Sequence, residues 1–378
     1  MLPRRLAGIA AVGATVLVLV SLLGAEARPF ATQPFPDSQE YADSARHLIR
    51  GEGFVTTVHG PKPQPPRYPP GYPLALAPFA AAGTYPYNVE RGAKAYAAFY
   101  VVAAVFAAWA LGGPLAALLA AVFVGTSPFA HESAELILSD ALGAALTVLL
   151  LPLLRPATRA GARLGGAVAG ITAAIRLISL TAIAAHLIAA PRRLRPHAAV
   201  FAAVPMLGVA ALQWVIFGSP LETGYSYWRA DHDIFMVSHL WEARPPGDGP
   251  FVIQERLEGD LFEWTCPCGD TGPQGELPNA AFYPALLAGL FWVFAPPLAT
   301  LPALVALWRW RREPAGRFAI AFVVLSVGAF GVYEFQAARF MASTATVLLV
   351  LSSVVLAGWL EAGAVRALGA VSGRARPG

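Results

Sequence analysis

Long runs without a formal charge constrain this chain more than any other feature. Apolar stretches, most of them about 17 to 24 residues, recur along it with almost no Asp, Glu, Lys or Arg inside. A bilayer core of ~30 Å takes about 20 such residues as a helix. Of the 378 residues, 56% are apolar and 13% charged, against ~45–50% and ~25% in soluble domains. A soluble fold of this size could not cover its surface, so the chain reads as a polytopic membrane protein. The formal charge of +4 then reflects loop placement, and nucleic acid drops out as a partner. Cys266 and Cys268 are too few for a disulfide framework and make no zinc site alone.

Ten spans are expected, near 5–24, 92–111, 114–130, 134–154, 163–176, 177–190, 197–217, 281–304, 317–333 and 341–360. The 163–190 region splits at Arg176, an intramembrane charge and for that reason a functional candidate. With Arg4 and Arg5 inside, 15 of the 27 basic residues fall on the cytoplasmic side, against Glu313 and Glu361 as its only acids. The positive-inside rule selects that orientation. It places two long loops, 25–91 and 218–280, outside a single integral membrane domain covering 1–378. Ala25-Glu26-Ala27 after the first run imitates a signal-peptidase site, but the run is long for a signal peptide, and an uncleaved anchor is expected.

In the first loop, Tyr41, Ala45, Leu48 and Ile49 line one helical face, and Glu40, Asp43, Arg46, His47 and Arg50 the other. This is the pattern of an amphipathic helix on the outer membrane surface, ended by Gly51 and Gly53. Seven prolines in PKPQPPRYPPGYP (61–73) forbid helix there and favour a stiff, extended strap.

FPDSQEYADSARHLIRGEGF (35–54) and RYPPGYPLALAPF (67–79) combine an Asp shortly after the first span, a Tyr four residues on, a Gly-x-Gly helix stop and a Pro-Pro-Gly-Tyr-Pro-Leu strap. Together with LILSDAL (136–142), AAIRLISLTAI (173–183), PRRLRPH (191–197) and FGSPLETGY (217–225), this order resembles the GT-C membrane glycosyltransferases. These include the protein mannosyltransferases and the aminoarabinose transferases. The resemblance implies an all-α bundle of about ten transmembrane helices beneath two extracytoplasmic loops carrying amphipathic helices. It also implies an inverting transfer of sugar from a polyprenyl-phosphate donor to an acceptor hydroxyl on a glycan, lipid or protein, at a bacterial-type inner membrane.

On that resemblance Asp37 is the expected base, because an alcohol is a poor nucleophile until a carboxylate shares its proton. Asp37 with Glu40 three residues on is equally a helix capping box. An anionic leaving group needs cations, for which Arg339, Arg67 and Arg176 are the candidates, with Lys62, Arg91 and Lys94 behind them. At the position before Pro69-Pro70 the aminoarabinose transferases carry Lys, and this chain carries Tyr68 with Arg67 one residue earlier. Glu132, Glu135 and Asp140, with Tyr68, Tyr72 and Tyr333, are expected to line the acceptor pocket. Ion pairing with Asp140 or Glu135 is the other reading of Arg176. A divalent cation is a candidate cofactor, not a required one, and Asp37, Glu132 and Asp140 would be its oxygen ligands. The second loop mixes Tyr225, Tyr227, Trp228, Trp241 and Trp264 with acids, a composition suited to sugars, and sets His232 between Asp231 and Asp233. Two rival functions remain: a polymerase or ligase of O-antigen type, disfavoured by acid-rich outer loops, and a transporter or flippase, disfavoured by the lack of a visible repeat and by ionisable groups concentrated outside, with Arg176 the one midplane charge.

Overall fold

The computed structural model describes residues 2–30, 37–155, 157–228, 237–241, 251–257, 260–266, 278–289, 299–333 and 338–373. Helix α1 (Leu2–Gly24) is followed in the first long loop by α2 (Asp37–Ile49) and α3 (Gly71–Ala81). Then come α4 (Tyr87–Gly112), α5 (Pro114–Gly125), α6 (Pro128–Glu135), α7 (Asp140–Leu153), α8 (Arg159–Ile175), α9 (Leu180–Ala189) and α10 (Arg195–Phe217). The second long loop holds the short α11 (Gly224–Trp228) and a hairpin of β1 (Phe251–Leu257) and β2 (Asp260–Cys266). Helices α12 (Asn279–Gly289), α13 (Thr300–Trp310), α14 (Pro314–Gly331) and α15 (Ala342–Gly373) complete the bundle.

Among the described residues five helical segments are long and apolar enough to cross a membrane: Arg4–Gly24, Tyr87–Gly112, Arg192–Phe217, Pro314–Gly331 and Arg339–Arg366. The pair α5 and α6, bent by 59°, would make a sixth. The bend falls where Ser127 restarts the helix, its Oγ accepting from Ala130 N at 3.3 Å with Pro128 in the first turn. The expected spans 134–154, 163–176 and 177–190 are shorter helices, and the expected span 281–304 lies partly outside the described residues. At 14 residues, α7 rises only about 21 Å, less than a full bilayer core. As the intramembrane charge led us to expect, the 163–190 region breaks at Arg176, whose backbone is extended between α8 and α9.

Burial sorts the helices. Across its apolar window α15 is 89% buried and sits among α4, α5, α7 and α13, whereas the windows of α1 and α10 are only 11% buried. The outer helices leave Ile9, Leu17, Val20, Val204, Leu207 and Val215 exposed. Facing water, such apolar stripes would drive association; facing lipid they cost nothing. The chain is a multi-pass membrane protein.

Helices α8 and α10 touch backbone to backbone. A Cβ on Gly166 would stand 2.1 Å from Ala198 O, and one on Gly170 2.4 Å from Ala202 O. Two glycines one turn apart facing two alanines one turn apart are the small-residue seam by which membrane helices pack without a hydrophobic drive between them. Besides an isolated antiparallel bridge between Thr56 and Gln64, the described residues depart from an all-helical plan in the hairpin. It is antiparallel, with Phe251 opposite Cys266 and Gln254 opposite Glu263. Its Cys266 ends β2, while Cys268, His232, Asp231 and Asp233 lie outside the described residues. We expect Gly170→Leu to force α8 and α10 apart at a cost of about 1–3 kcal/mol, read as a lowered melting temperature in detergent, with Gly208→Leu, which has open space around it, leaving that temperature unchanged.

Candidate active site

Asp37 opens α2, and its acids Asp37 and Glu40 in the first turn and Arg46 and His47 in the last complement the helix dipole. The helix is amphipathic as expected, but its polar face does not lie open at a membrane surface. Ser38, Glu40, Asp43, Ser44 and His47 are all buried, because residues 56–68 fold back over them. The Asp43 carboxylate accepts from Arg46 Nη2 at 2.5 Å, Thr57 N at 2.6 Å and Thr56 Oγ1 at 3.1 Å. Glu40 does not close a capping box. It turns to the strap, accepting from the backbone N–H of Arg67 and, at 3.2 Å, of Tyr68.

This fold-back delivers Tyr68 to Asp37. The phenol donates to Asp37 Oδ1, and Arg339 Nη2 donates to Oδ2 at 2.8 Å from a position 302 residues along the chain. Arg339 rides on the short 3₁₀ turn Ala338–Met341 that leads into α15. The Asp37 side chain stays 21% exposed and that of Arg339 27%, so the pair is only partly covered. Burial pushes the Asp37 carboxyl up, but the Arg339 charge, the Tyr68 and Arg339 hydrogen bonds and the Arg67 charge outweigh it. The carboxyl is held below its ordinary value of 3.8. Burial and the Asp37 charge keep the Tyr68 phenol well above its ordinary range, so it remains a donor.

Beside this centre, Arg176 Nη1 donates to Asp140 Oδ1, both side chains largely buried. Of its two expected acidic partners, Arg176 therefore takes Asp140. Glu135 pairs with Arg28 Nε at 3.1 Å, and Glu132 lies within electrostatic reach of Arg339 and Asp140. Tyr41 joins the two pairs: its hydroxyl meets Ser139 Oγ at 3.2 Å, and its ring lies 4.8 Å from Tyr68 and 4.9 Å from Tyr72. Tyr72 itself is fully buried among apolar side chains of α2, α3 and α4. Tyr333 packs 5.5 Å from Phe340, next to Arg339. Arg67 is buried with its guanidinium 5.9 Å from the Trp228 ring, and its charge reaches Asp37. The lesser cations are used elsewhere: Lys94 donates to Ala25 O and Arg91 to Asn88 Oδ1 at 3.4 Å.

Among the described residues no three His, Cys, Asp or Glu side chains gather as a metal set. The expected oxygen ligands are engaged with cations instead, Asp37 with Arg339 and Asp140 with Arg176. As they stand they do not fit a metal. Tyr225 is a residue whose place the sequence did not disclose. Its ring meets that of Tyr68 edge to face at 5.7 Å, closing the site from the second long loop.

No protein-family model matches the chain, and no curated protein matches it by sequence. Its fold does match solved structures. ArnT from Cupriavidus metallidurans in the apo state superposes with a TM-score of 0.57 at 16% identity, over 92% of this chain and 59% of that one. ArnT bound to undecaprenyl phosphate gives 0.55 at 15% identity, with the same coverage. The archaeal oligosaccharyltransferase AglB from Archaeoglobus fulgidus, in complex with an inhibitory peptide and a dolichol-phosphate, gives 0.57 at 13% identity, over 98% of this chain and 52% of that one. A further structure of the Archaeoglobus enzyme holds Zn and sulfate. This chain thus spans 59% of ArnT and about half of AglB. The chain has the fold of ArnT and of the archaeal oligosaccharyltransferase, and a fold of that kind is what the motif order led us to expect.

The depressed Asp37 carboxyl carries a sign. Its pairing stabilises the fold at pH above 3.8, and that contribution is lost as the pH falls through the depressed value. Arg339→Gln removes the strongest opposition to burial and lets the carboxyl rise. The gap in melting temperature between the native chain and Arg339→Gln should therefore be widest near pH 7, begin to shrink at the variant's raised value and close only as the pH falls below 3.8.

Proposed function

We propose that the chain is an inverting glycosyltransferase that moves a sugar from a polyprenyl-phosphate donor to an acceptor hydroxyl. Its acceptor is a glycan, lipid or protein, and the reaction runs on the extracytoplasmic side of a bacterial-type inner membrane. The observation that carries this reading is the partly exposed Asp37 carboxylate paired with the Arg339 guanidinium at 2.8 Å. The chemistry asks for a base and an anion-stabilising cation side by side. The fold shared with ArnT and AglB, solved with undecaprenyl phosphate and dolichol-phosphate, supports the donor class. The cytoplasmic bias of basic residues supports the sidedness, with loops 25–91 and 218–280 outside a single membrane domain.

In the proposed step the acceptor oxygen attacks the anomeric carbon as the bond from that carbon to the phosphate oxygen breaks. The hydroxyl proton passes to Asp37, and the bonding pair leaves with the phosphate. The donor phosphodiester carries one negative charge and gains a second as it departs, so Arg339 does more for the transition state than for the bound donor. A phosphate drawing on Arg339 also loosens its hold on Asp37 Oδ2, which raises the proton affinity of the base when the donor is in place. Arg67 and Arg176 add positive potential. Glu132, Glu135, Asp140, Tyr68 and Tyr333 form the wall against which acceptor and sugar lie, while Tyr72, expected there from the sequence, is 0% exposed and supports the site from the apolar core behind Tyr41.

Membrane vesicles supplied with radiolabelled polyprenyl-phosphate sugars test the reading. Asp37→Asn should lower transfer by about 10²–10⁴-fold. Arg339→Gln should lower it too, with turnover falling more than donor affinity. Transfer by Asp37→Asn at the native rate would remove the carboxylate from the mechanism.

A further inference from the structure

The first loop contains a buried carboxylate that the proposed transfer does not use. Glu40 is 1% exposed, one helical turn beyond Asp37 on α2. Burying a carboxylate costs free energy unless its lone pairs are filled, and here they are filled by one segment of chain. Glu40 Oε1 accepts from the backbone N–H of Arg67 and of Tyr68, and Oε2 meets His59 Nε2 at 3.0 Å.

The strap explains why those two amides matter. Residues 65 to 70 read Pro-Pro-Arg-Tyr-Pro-Pro. Proline has no N–H, so Arg67 and Tyr68 carry the only two backbone donors in that hexapeptide, and both go to Glu40. No sheet ladder or helix can hold this stretch by its donors. One carboxylate takes the whole of that capacity and sets the height of Tyr68 above α2. From the other side α11 closes on the same stretch. Trp228 Nε1 donates to Pro65 O at 2.7 Å, the Trp228 ring lies 4.4 Å from His59, and a Cβ on Gly224 would stand 2.0 Å from Pro66 O. Tyr68 leaves this clamp with its phenol on Asp37 Oδ1.

We infer that Glu40 is a positioning residue: by gripping the Arg67 and Tyr68 amides it holds the Tyr68 hydroxyl on the Asp37 carboxylate. Its link to catalysis rests on the role proposed for Asp37, but the contact itself can be read without turnover. A bond from Tyr68 competes for the lone pair that would take the acceptor's proton. Glu40 thus governs how strong a base Asp37 is, without touching substrate.

The test uses the full chain in detergent, with fluorotyrosine placed at position 68 and read by fluorine NMR. In the native background Asp37→Asn should displace the resonance, because the phenol loses its anionic acceptor. In the Glu40→Gln background the same change should displace it at least about threefold less, since the two sites are coupled only while the strap is gripped. An equal displacement in both backgrounds overturns the inference. If Glu40→Gln cannot be recovered folded, Glu40→Asp is read in the same way. It keeps the charge but retracts it from the amides, and full coupling there overturns the inference equally. In the vesicle assay Glu40→Gln should change kcat while leaving donor KM within about twofold, and native kinetics would also overturn it. A chain that transfers no sugar in any form defeats the transfer reading, while the fluorine coupling still decides the role of Glu40.

Discussion

The ion pair between Asp37 and Arg339 holds together what the rest of the molecule prepares. It joins the first turn of α2 to the turn that opens α15, across 302 residues. Two charges set against a low-dielectric bundle are tolerable only as a pair with further hydrogen bonds, and the Tyr68 phenol supplies one. A second pair, Arg176 with Asp140, stands nearby at the break between α8 and α9. The site therefore holds carboxylates and guanidinium groups in balance. On the proposed reading, a phosphate entering such a place would be met by cations that need only shift partner.

Rigid surroundings make that balance usable. Helix α15, the most buried of the long helices, fixes the approach of Arg339, and the Phe330 and Phe340 rings stack at 5.1 Å beside it. Asn279 Nδ2 donates to Gly331 O at 2.9 Å and Tyr333 O at 2.8 Å, tying the end of α14 to the start of α12. On the other side a proline strap, stiff but poor in donors, is pinned by Glu40 and by Trp228. Carboxylate, phenol and guanidinium come from three separate parts of the chain, each held by its own neighbours.

Much of the site could be read from residue types. Asp37 stood out as the carboxylate after the first apolar run, Arg176 as the one charge inside a span, and Arg339 as the cation opening the last span; the structure brings Asp37 and Arg339 into contact. Glu40 was misread for a physical reason. A Glu three residues after an Asp at a helix start satisfies the local capping rule, and nothing local shows that its acceptors will be filled by amides 27 and 28 residues away. The same short range hid the burial of the polar face of α2, since helical periodicity separates two faces without saying what covers each. Tyr225 had no local signal beyond lying among other loop aromatics. The hairpin β1–β2 falls in a stretch read for its aromatics and acids, not for strand alternation.

The sequence by itself determined that this chain lives in a membrane, roughly where its helices start and stop, and which way its basic residues bias them. Hydropathy, glycine and proline act over a few residues and need no partner to be felt. Tertiary structure alone decided which acid meets which base: Asp140 and not Glu135 for Arg176, Arg339 for Asp37, the strap and not its own helix end for Glu40. A charge in a low-dielectric interior takes the partner that packing brings within about 3 Å, and distance along the chain carries almost no information about that.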